Sequence, residues 1–168
     1  MDILKTATDW TKAEMASSGF FILFGAGFLL TSLGFWHMGK TDVARAYVVP
    51  ALIAGVLLLA IGLGIFVQSQ ARVTSFPAAY HSDASQFIAS EIARADRVLG
   101  DYRIAVFRVI PLIVAVGAVL FMCLQAPIWR ASLTVTIAMM AVILIIDANA
   151  NARLEAYRST LHEAEKRG

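Results

Sequence analysis

Cysteine and histidine are scarce in this chain of 168 residues, which excludes a disulfide within the chain and disfavours haem. The single cysteine, Cys123, cannot form a disulfide within the chain. Haem held in a helical bundle needs axial histidines inside the apolar runs. Of the three histidines, His81 and His162 lie outside those runs. We therefore expect neither haem nor any other cofactor.

Charged residues and enzyme motifs are also sparse. Charged side chains make up 15% of the chain, and a net charge of +2 does not indicate nucleic-acid binding. The sequence contains no G-x-S-x-G nucleophile elbow and no zinc-binding H-E-x-x-H helix. We expect a protein that is not an enzyme and that has no nucleic-acid partner.

Long apolar runs dominate what is present. Hydrophobic residues make up 59% of the chain, and the mean hydropathy is +0.72. Four runs occur at residues 19–38, 46–67, 104–124 and 131–146, and a helix needs about 20 apolar residues to cross a bilayer core. None of them alternates as the strands of a membrane barrel do. The sequence predicts an all-α integral membrane protein with four transmembrane helices.

The basic residues predict which side of the membrane each end occupies. Eleven basic residues lie on one predicted side, in the two terminal segments, in the connector between the second and third runs, or just after that connector. They are Lys5, Lys12, Arg72, Arg94, Arg97, Arg103, Arg108, Arg153, Arg158, Lys166 and Arg167. The opposite side carries Lys40, Arg45 and Arg130. Basic residues accumulate on the cytoplasmic side, so we expect both termini in the cytoplasm. The composition is compatible with a bacterial inner membrane, and the first run is too long for a cleaved signal.

The first 67 residues are expected to form two units. Residues 1–18 are modestly amphipathic and would lie in the headgroup region. Residues 19–67 would form a transmembrane hairpin. Glycines recur seven residues apart in both of its runs, as Gly27/Gly34 and Gly55/Gly62. Small residues on one helix face permit close approach of the backbones, which predicts tight pairing of the first two spans.

Residues 68–168 are expected to form a long helical hairpin. Apolar residues follow heptad spacing on both sides of the last two runs: Ile88, Ile92, Ala95, Leu99, Tyr102, Val106, Val109 and Ile113, then Ala150, Leu154, Tyr157, Leu161 and Ala164. A continuous helix over residues 84–124 would measure about 60 Å, twice the roughly 30 Å hydrocarbon core. The third and fourth helices should therefore extend into the cytoplasm as an antiparallel pair. The alternative is a separate interfacial helix at residues 84–99, hinged at Gly100 and Asp101.

Two signals predict where the long hairpin begins. Phe76 and Pro77 should break any helix in the connector, because proline cannot donate a backbone hydrogen bond. Asp83 followed by Gln86 has the spacing of a capping box and should start the third long helix.

Arg108 and Asp147 are the first candidate site. Each adjoins a long apolar run, and folding the hairpin would bring them opposite each other. A charge at membrane depth is costly and usually pairs or lines a functional path. The pair could fix the register of the hairpin, or Asp147, with Asn149 and Asn151 beyond it, could form a proton or cation path.

A second candidate site combines soft ligands at the outer ends of the first and third spans: His37, Met38, Met122 and Cys123. Imidazole, thioether and thiolate groups together suit Cu(I). These residue types are also ordinary in membrane packing and at interfaces, which is the simpler explanation.

The expected function is that of a small, non-enzymatic membrane scaffold or accessory subunit. Its partners would be the bilayer and either further copies of itself or another protein, contacted through the cytoplasmic hairpin. Two alternatives remain open: an oligomeric ion or proton channel or transporter that uses Asp147, and a copper-handling membrane protein.

Overall fold

The fold was analysed in a computed structural model that describes residues 3–166. Within this range the chain is helical, with short connections and no strand. Its elements are α1 (Ile3–Met38), α2 (Asp42–Ala46), α3 (Val48–Ser82), α4 (Ala84–Ile104), a π-helical segment (Ala105–Val109), α5 (Ile110–Cys123) and α6 (Pro127–Glu165).

Four rods of helix are long and apolar enough to cross a membrane. They contain 36, 41, 40 and 39 residues, counting α2 with α3 and joining α4, the π-helical segment and α5. At about 1.5 Å per residue the shortest measures about 54 Å, well beyond a hydrocarbon core of about 30 Å. All four rods, and not the last two alone, therefore extend past the apolar runs.

α1 joins the predicted N-terminal segment to the first apolar run without a break. Its buried residues follow one face at spacings of three, four and seven: Ile3, Ala7, Thr11, Ser18, Phe21, Gly25 and Ser32. This face continues through residue 18, where the sequence suggested that a separate interfacial helix ends. The face is covered along its length by other helices of the chain, so residues 3–18 form part of the bundle.

The predicted break at Phe76-Pro77 is wrong, because α3 runs through Pro77 and ends at Ser82. A proline inside a helix removes one hydrogen bond and strains the preceding turn. Phe76 compensates for this, since its ring is 4% exposed and packs edge-on against Phe87 at 5.3 Å between centroids. The helix start was predicted correctly, because Asp83 is extended and its side chain accepts from the Gln86 amide.

α1 and α3 pack closely through glycines. A Cβ on Gly25 would lie 2.9 Å from the backbone nitrogen of Leu59, and a Cβ on Gly62 would lie 3.0 Å from the backbone nitrogen of Ile22. Gly55 faces Gly25 across the same contact. The predicted pairing of these helices is present, but Gly27 lies in open space and Gly34 contacts only its own helix.

The rod formed by α4 and α5 contains the π-helical segment at its middle. Pro111 follows this segment and cannot donate to the Phe107 carbonyl, which favours a wider turn there. The Ile110 amide accordingly donates to Ala105, five residues back. α4 itself runs through Gly100 without a hinge. Beyond the wide turn, α5 packs against α6 but has no backbone contact with α1 or α3 in the described chain.

The larger core lies outside the apolar runs. The parts of α1, α3, α4 and α6 at residues 3–18, 68–82, 84–103 and 147–165 are called the polar bundle below. Its core consists of Ile3, Ala7, Phe76, Phe87, Ile92, Ala95, Leu154, Tyr157 and Leu161. A smaller core of Phe21, Leu58 and Ile146 lies among the spans. The polar bundle buries its apolar residues in its centre, whereas the apolar runs expose large apolar side chains such as Leu112 and Val119.

Candidate functional site

A buried carboxylate lies at the centre of the polar bundle. Glu91 on α4 is 6% exposed. Both of its oxygens accept from Arg94, one turn further on: Nε donates to Oε1 at 3.0 Å and Nη2 to Oε2 at 2.6 Å. The Tyr157 hydroxyl donates to Oε2 at 3.0 Å from α6. Glu91 is thus paired within its own helix and hydrogen-bonded to a second one.

Trp10 brings α1 into the same group. Its ring stacks on Tyr157 with the centroids 4.9 Å apart and the planes 11° from parallel. Two guanidinium groups also lie over the ring, Arg94 at 4.7 Å and Arg72 at 5.2 Å from the centroid. Arginine and tryptophan attract each other through the negative face of the indole, more strongly where water is excluded.

A second ion pair joins α1 to α3 beside the first. Glu14 Oε2 lies 3.2 Å from Arg72 Nη2 and accepts from the Ser69 hydroxyl at 3.0 Å. The same nitrogen of Arg72 donates to the Thr11 hydroxyl at 3.2 Å. These residues, with those around Glu91 and Trp10, are called the ion-pair cluster: Trp10, Thr11, Glu14, Ser69, Arg72, Glu91, Arg94 and Tyr157.

The surroundings keep the hydroxyl donor and the two cations in their usual protonation states. Burial raises the pKa of Tyr157, and the adjacent carboxylate of Glu91 raises it further, so the hydroxyl remains a donor. Burial alone would lower the pKa of Arg94, but its hydrogen bonds and ion pair with Glu91 outweigh this and raise the pKa. Burial and the nearby charge of Arg94 lower the pKa of Arg72, whose guanidinium nevertheless remains charged as arginine does in proteins.

The ion-pair cluster is suited to fixing four helices relative to one another. Two carboxylates face two guanidiniums, so the charges balance. The charged groups already have partners within the chain, which leaves little freedom for them to act as an acid, a base or a ligand. Breaking such a group by removing one member costs far more than the pair itself contributes.

The first predicted site does not form as a pair. Arg108 is exposed and makes no ion pair with Asp147 in the structure of residues 3–166. Asp147 is half-buried. Burial, and then the charge of Asp147, raise the pKa of Tyr102. Asn149 is exposed, and the Asn151 amide donates to Glu155 at 3.2 Å. Arg108 lies in the π-helical segment.

The second predicted site is divided between helices that do not pack together. His37 and Met38 end α1, whereas Met122 and Cys123 end α5. Their side chains are exposed, Met38 by 75% and Met122 by 79%. Among the described residues, no three His, Cys, Asp or Glu side chains are grouped to hold a metal ion.

A phosphate-loop pattern in the sequence is accidental. Residues 34–41 read G-x-x-x-x-G-K-T, the spacing of a phosphate loop. A phosphate loop follows a strand and presents free backbone amides, but residues 34–38 here are the last turn of α1. The Gly39 amide donates to the Phe35 carbonyl, and the Thr41 hydroxyl caps the short α2.

The ion-pair cluster was not predicted as a site. Its members lie on four helices and meet only when the helices have the correct register. The sequence signal that could have indicated it is the position of Trp10, Glu14 and Arg72 in segments that continue the apolar helices beyond the spans. Comparison with protein-family models, with curated proteins and with solved structures finds no match to this chain.

Proposed function

We propose that this is a non-enzymatic scaffold or accessory subunit of a bacterial inner membrane, with both termini in the cytoplasm, that associates with copies of itself or with a partner through the polar bundle. The ion-pair cluster is the observation that carries this proposal. It joins the helices in a water-excluded centre and uses their charged groups for internal contacts. A bundle of this kind provides a fixed outer surface rather than a reaction centre.

Three exposed positions on different helices of the polar bundle offer a direct test. Lys12, Arg97 and Glu163 lie on α1, α4 and α6. Each would be replaced by cysteine in a Cys123→Ser background and treated with a short bifunctional thiol reagent in native membranes. We expect at least one of them to form a covalent dimer or a defined adduct with a partner.

The matched control is Val119→Cys in the same background, because Val119 is 61% exposed on α5 and lies within the apolar run. It should not cross-link if association occurs through the polar bundle. Native mass spectrometry in mild detergent complements the cross-linking. A strictly monomeric chain without a co-purifying partner, or cross-linking confined to Val119→Cys, would count against the proposal.

An ion or proton path through Asp147 is the second candidate. The observation in its favour is that this half-buried carboxylate has no ion pair in the described chain, although it follows directly on an apolar run. In liposomes, Asp147→Asn should abolish flux, whereas Asp101→Asn, at an exposed carboxylate on α4, should leave it unchanged. Absence of flux through the wild-type chain would end this hypothesis.

A further inference from the structure

A second polar feature lies beside the ion-pair cluster, in an open cleft of about 430 Å³ between α4 and α6. Its volume falls within the range of about 300–1,000 Å³ that holds small ligands. The charged and polar side chains along its walls are Asp96, Arg103, Asn151, Glu155 and Arg158, and Phe107, within the third apolar run, also lines it. The cleft therefore spans the boundary between the polar bundle and the membrane-spanning part.

Two opposite charges in the cleft have no charged partner. Asp96 and Arg158 form an ion pair with each other. Glu155 accepts from the neutral amide of Asn151, and Arg103 makes no ion pair within residues 3–166. The cleft thus offers one guanidinium and one carboxylate that a ligand can engage, and their charges sum to zero.

The two groups lie at different depths. α4 runs towards the apolar runs and α6 runs away from them, and contact between Asp96 and Arg158 fixes their relative level. Arg103 lies seven residues beyond Asp96, and Glu155 lies three residues before Arg158. At about 1.5 Å per residue, Arg103 is about 6 Å closer to the membrane than Glu155.

We propose that this cleft binds a zwitterionic phospholipid whose headgroup carries a primary ammonium, of the phosphatidylethanolamine class. Such a lipid places its phosphate next to the acyl chains and its ammonium further into the water, which is the order of Arg103 and Glu155. Arg103 donates a forked pair of hydrogen bonds to the phosphate, and Glu155 accepts from the ammonium. The acyl chains pass along Phe107 and Ile104, which are 46% and 57% exposed.

The charges also predict which lipids the cleft rejects. Phosphatidylglycerol has no cation, so its phosphate can engage Arg103 but Glu155 is left without a charged partner. Phosphatidylcholine has a quaternary ammonium, which has no N–H to donate to the carboxylate. A lipid that lacks one of these two groups forgoes a charge-assisted hydrogen bond, so the cleft should bind it more weakly.

The test uses the purified full-length chain in detergent with an equimolar mixture of phosphatidylethanolamine, phosphatidylglycerol and phosphatidylcholine that carry identical acyl chains. Bound lipid is counted by native mass spectrometry. The wild-type chain should retain phosphatidylethanolamine at least about tenfold over the other two, which corresponds to one charge-assisted hydrogen bond. Equal retention of all three would overturn the proposal.

Two variants separate the contributions of the two charges. Arg103→Gln should lose retention of every phosphate-bearing lipid, whereas Glu155→Gln should lose the preference and bind phosphatidylglycerol as well as phosphatidylethanolamine. Both side chains are exposed, so the helix content and melting temperature should be unchanged. If the preference persists in both variants, the cleft is not the binding site.

Matched controls lie on the same helices outside the cleft. Arg97→Gln and Glu163→Gln remove exposed charges from α4 and α6 and should leave the preference unchanged. Gly100 lines the cleft, and nothing lies within 4 Å of a Cβ added there, so Gly100→Leu should block the cleft without altering a charge. Loss of the preference in Arg97→Gln, or full retention in Gly100→Leu, would contradict the assignment.

Soluble phosphates distinguish a lipid from a free ligand. Free phosphoethanolamine and inorganic phosphate present the same charges without acyl chains. At concentrations equal to that of the lipid, neither should displace bound phosphatidylethanolamine, because the contacts along Phe107 and Ile104 are missing. Displacement by phosphoethanolamine would identify the site as one for a soluble phosphate ester and would overturn the lipid proposal.

Discussion

At the residue scale, Glu91 illustrates how a charge can be buried outside the apolar runs. Its carboxylate would be costly in a water-excluded centre if it were alone. Arg94 and Tyr157 together supply three hydrogen bonds. The stacking of Trp10 on Tyr157 then fixes the direction from which the hydroxyl donates. The carboxylate of Glu91 is therefore held by Arg94 on its own helix and by Tyr157 on α6, and Trp10 on α1 supports Tyr157.

Glu91→Gln should destabilise the protein markedly. The amide removes the charge that compensates Arg94, and loss of one member of a buried pair typically costs about 3–5 kcal/mol. Because the Arg94 side chain is 22% exposed and can reach water, we expect the lower end, about 3 kcal/mol. Thermal unfolding in detergent, followed by circular dichroism, measures the change. The control is Glu163→Gln, at an exposed carboxylate on α6, which should change the free energy of unfolding by less than about 0.5 kcal/mol. Equal losses of stability in the two variants would show that the burial of Glu91 is unimportant.

At the element scale, the contact of α1 with α3 is determined by three glycines. Gly25, Gly55 and Gly62 let the two backbones approach until an added methyl group would overlap backbone atoms. Lipid provides little hydrophobic drive for helix association, so close packing of this kind supplies much of it. Glycines elsewhere on these helices have no such role.

Gly55→Ala should separate α1 from α3. An added Cβ would lie 2.9 Å from the Gly25 carbonyl oxygen and 2.7 Å from a methyl carbon of Leu29, and only the Leu29 side chain can move aside easily. Overpacking of this kind costs about 1–3 kcal/mol. Gly64→Ala is the matched control because a Cβ there meets nothing within 4 Å. A melting temperature that falls equally, or not at all, in both variants would contradict this assignment of the interface.

The sequence predicted the elements well where the physical signal is local. Apolar runs predicted four helices long and apolar enough to cross a membrane, and the spacing from Asp83 to Gln86 predicted the start of α4. The predicted helix break at Pro77 is absent because the local cost of the proline is offset by the burial of Phe76. That burial depends on contact with Phe87 of α4, which local sequence does not show. The seven-residue spacing predicts that Gly27 and Gly34 share a face of α1, but it does not show which face meets α3. The contact is made by Gly25.

At the scale of the whole molecule, the helices form two regions with different arrangements. In the polar bundle, α1, α3, α4 and α6 surround a common core that water cannot enter. Among the spans, α6 lies between the α1–α3 pair and α5, so α5 is covered on one side and exposed on the others. The change from one arrangement to the other occurs at the π-helical segment.

The tertiary contacts were beyond prediction for a physical reason. Glu91 and Tyr157 are 66 residues apart, and Arg72 and Thr11 are 61 apart. Heptad spacing predicted that Ile92 and Leu154 would be buried, but it did not predict which polar residues would lie beside them. The pairing of these polar residues depends on the axial register of four helices relative to one another. The periodicity within each helix does not specify that register.

We propose that four helices cross the membrane and that the polar bundle lies on the side of both termini, in the cytoplasm. Cys123 tests it directly, because the only cysteine of the chain is exposed at the far end of α5. A membrane-impermeant maleimide should label Cys123 in right-side-out vesicles. Gln86→Cys in a Cys123→Ser background, at an exposed position in the first turn of α4, should be labelled only in inside-out vesicles. Labelling of both positions from the same side, or of Cys123 from the inside alone, would contradict the claim.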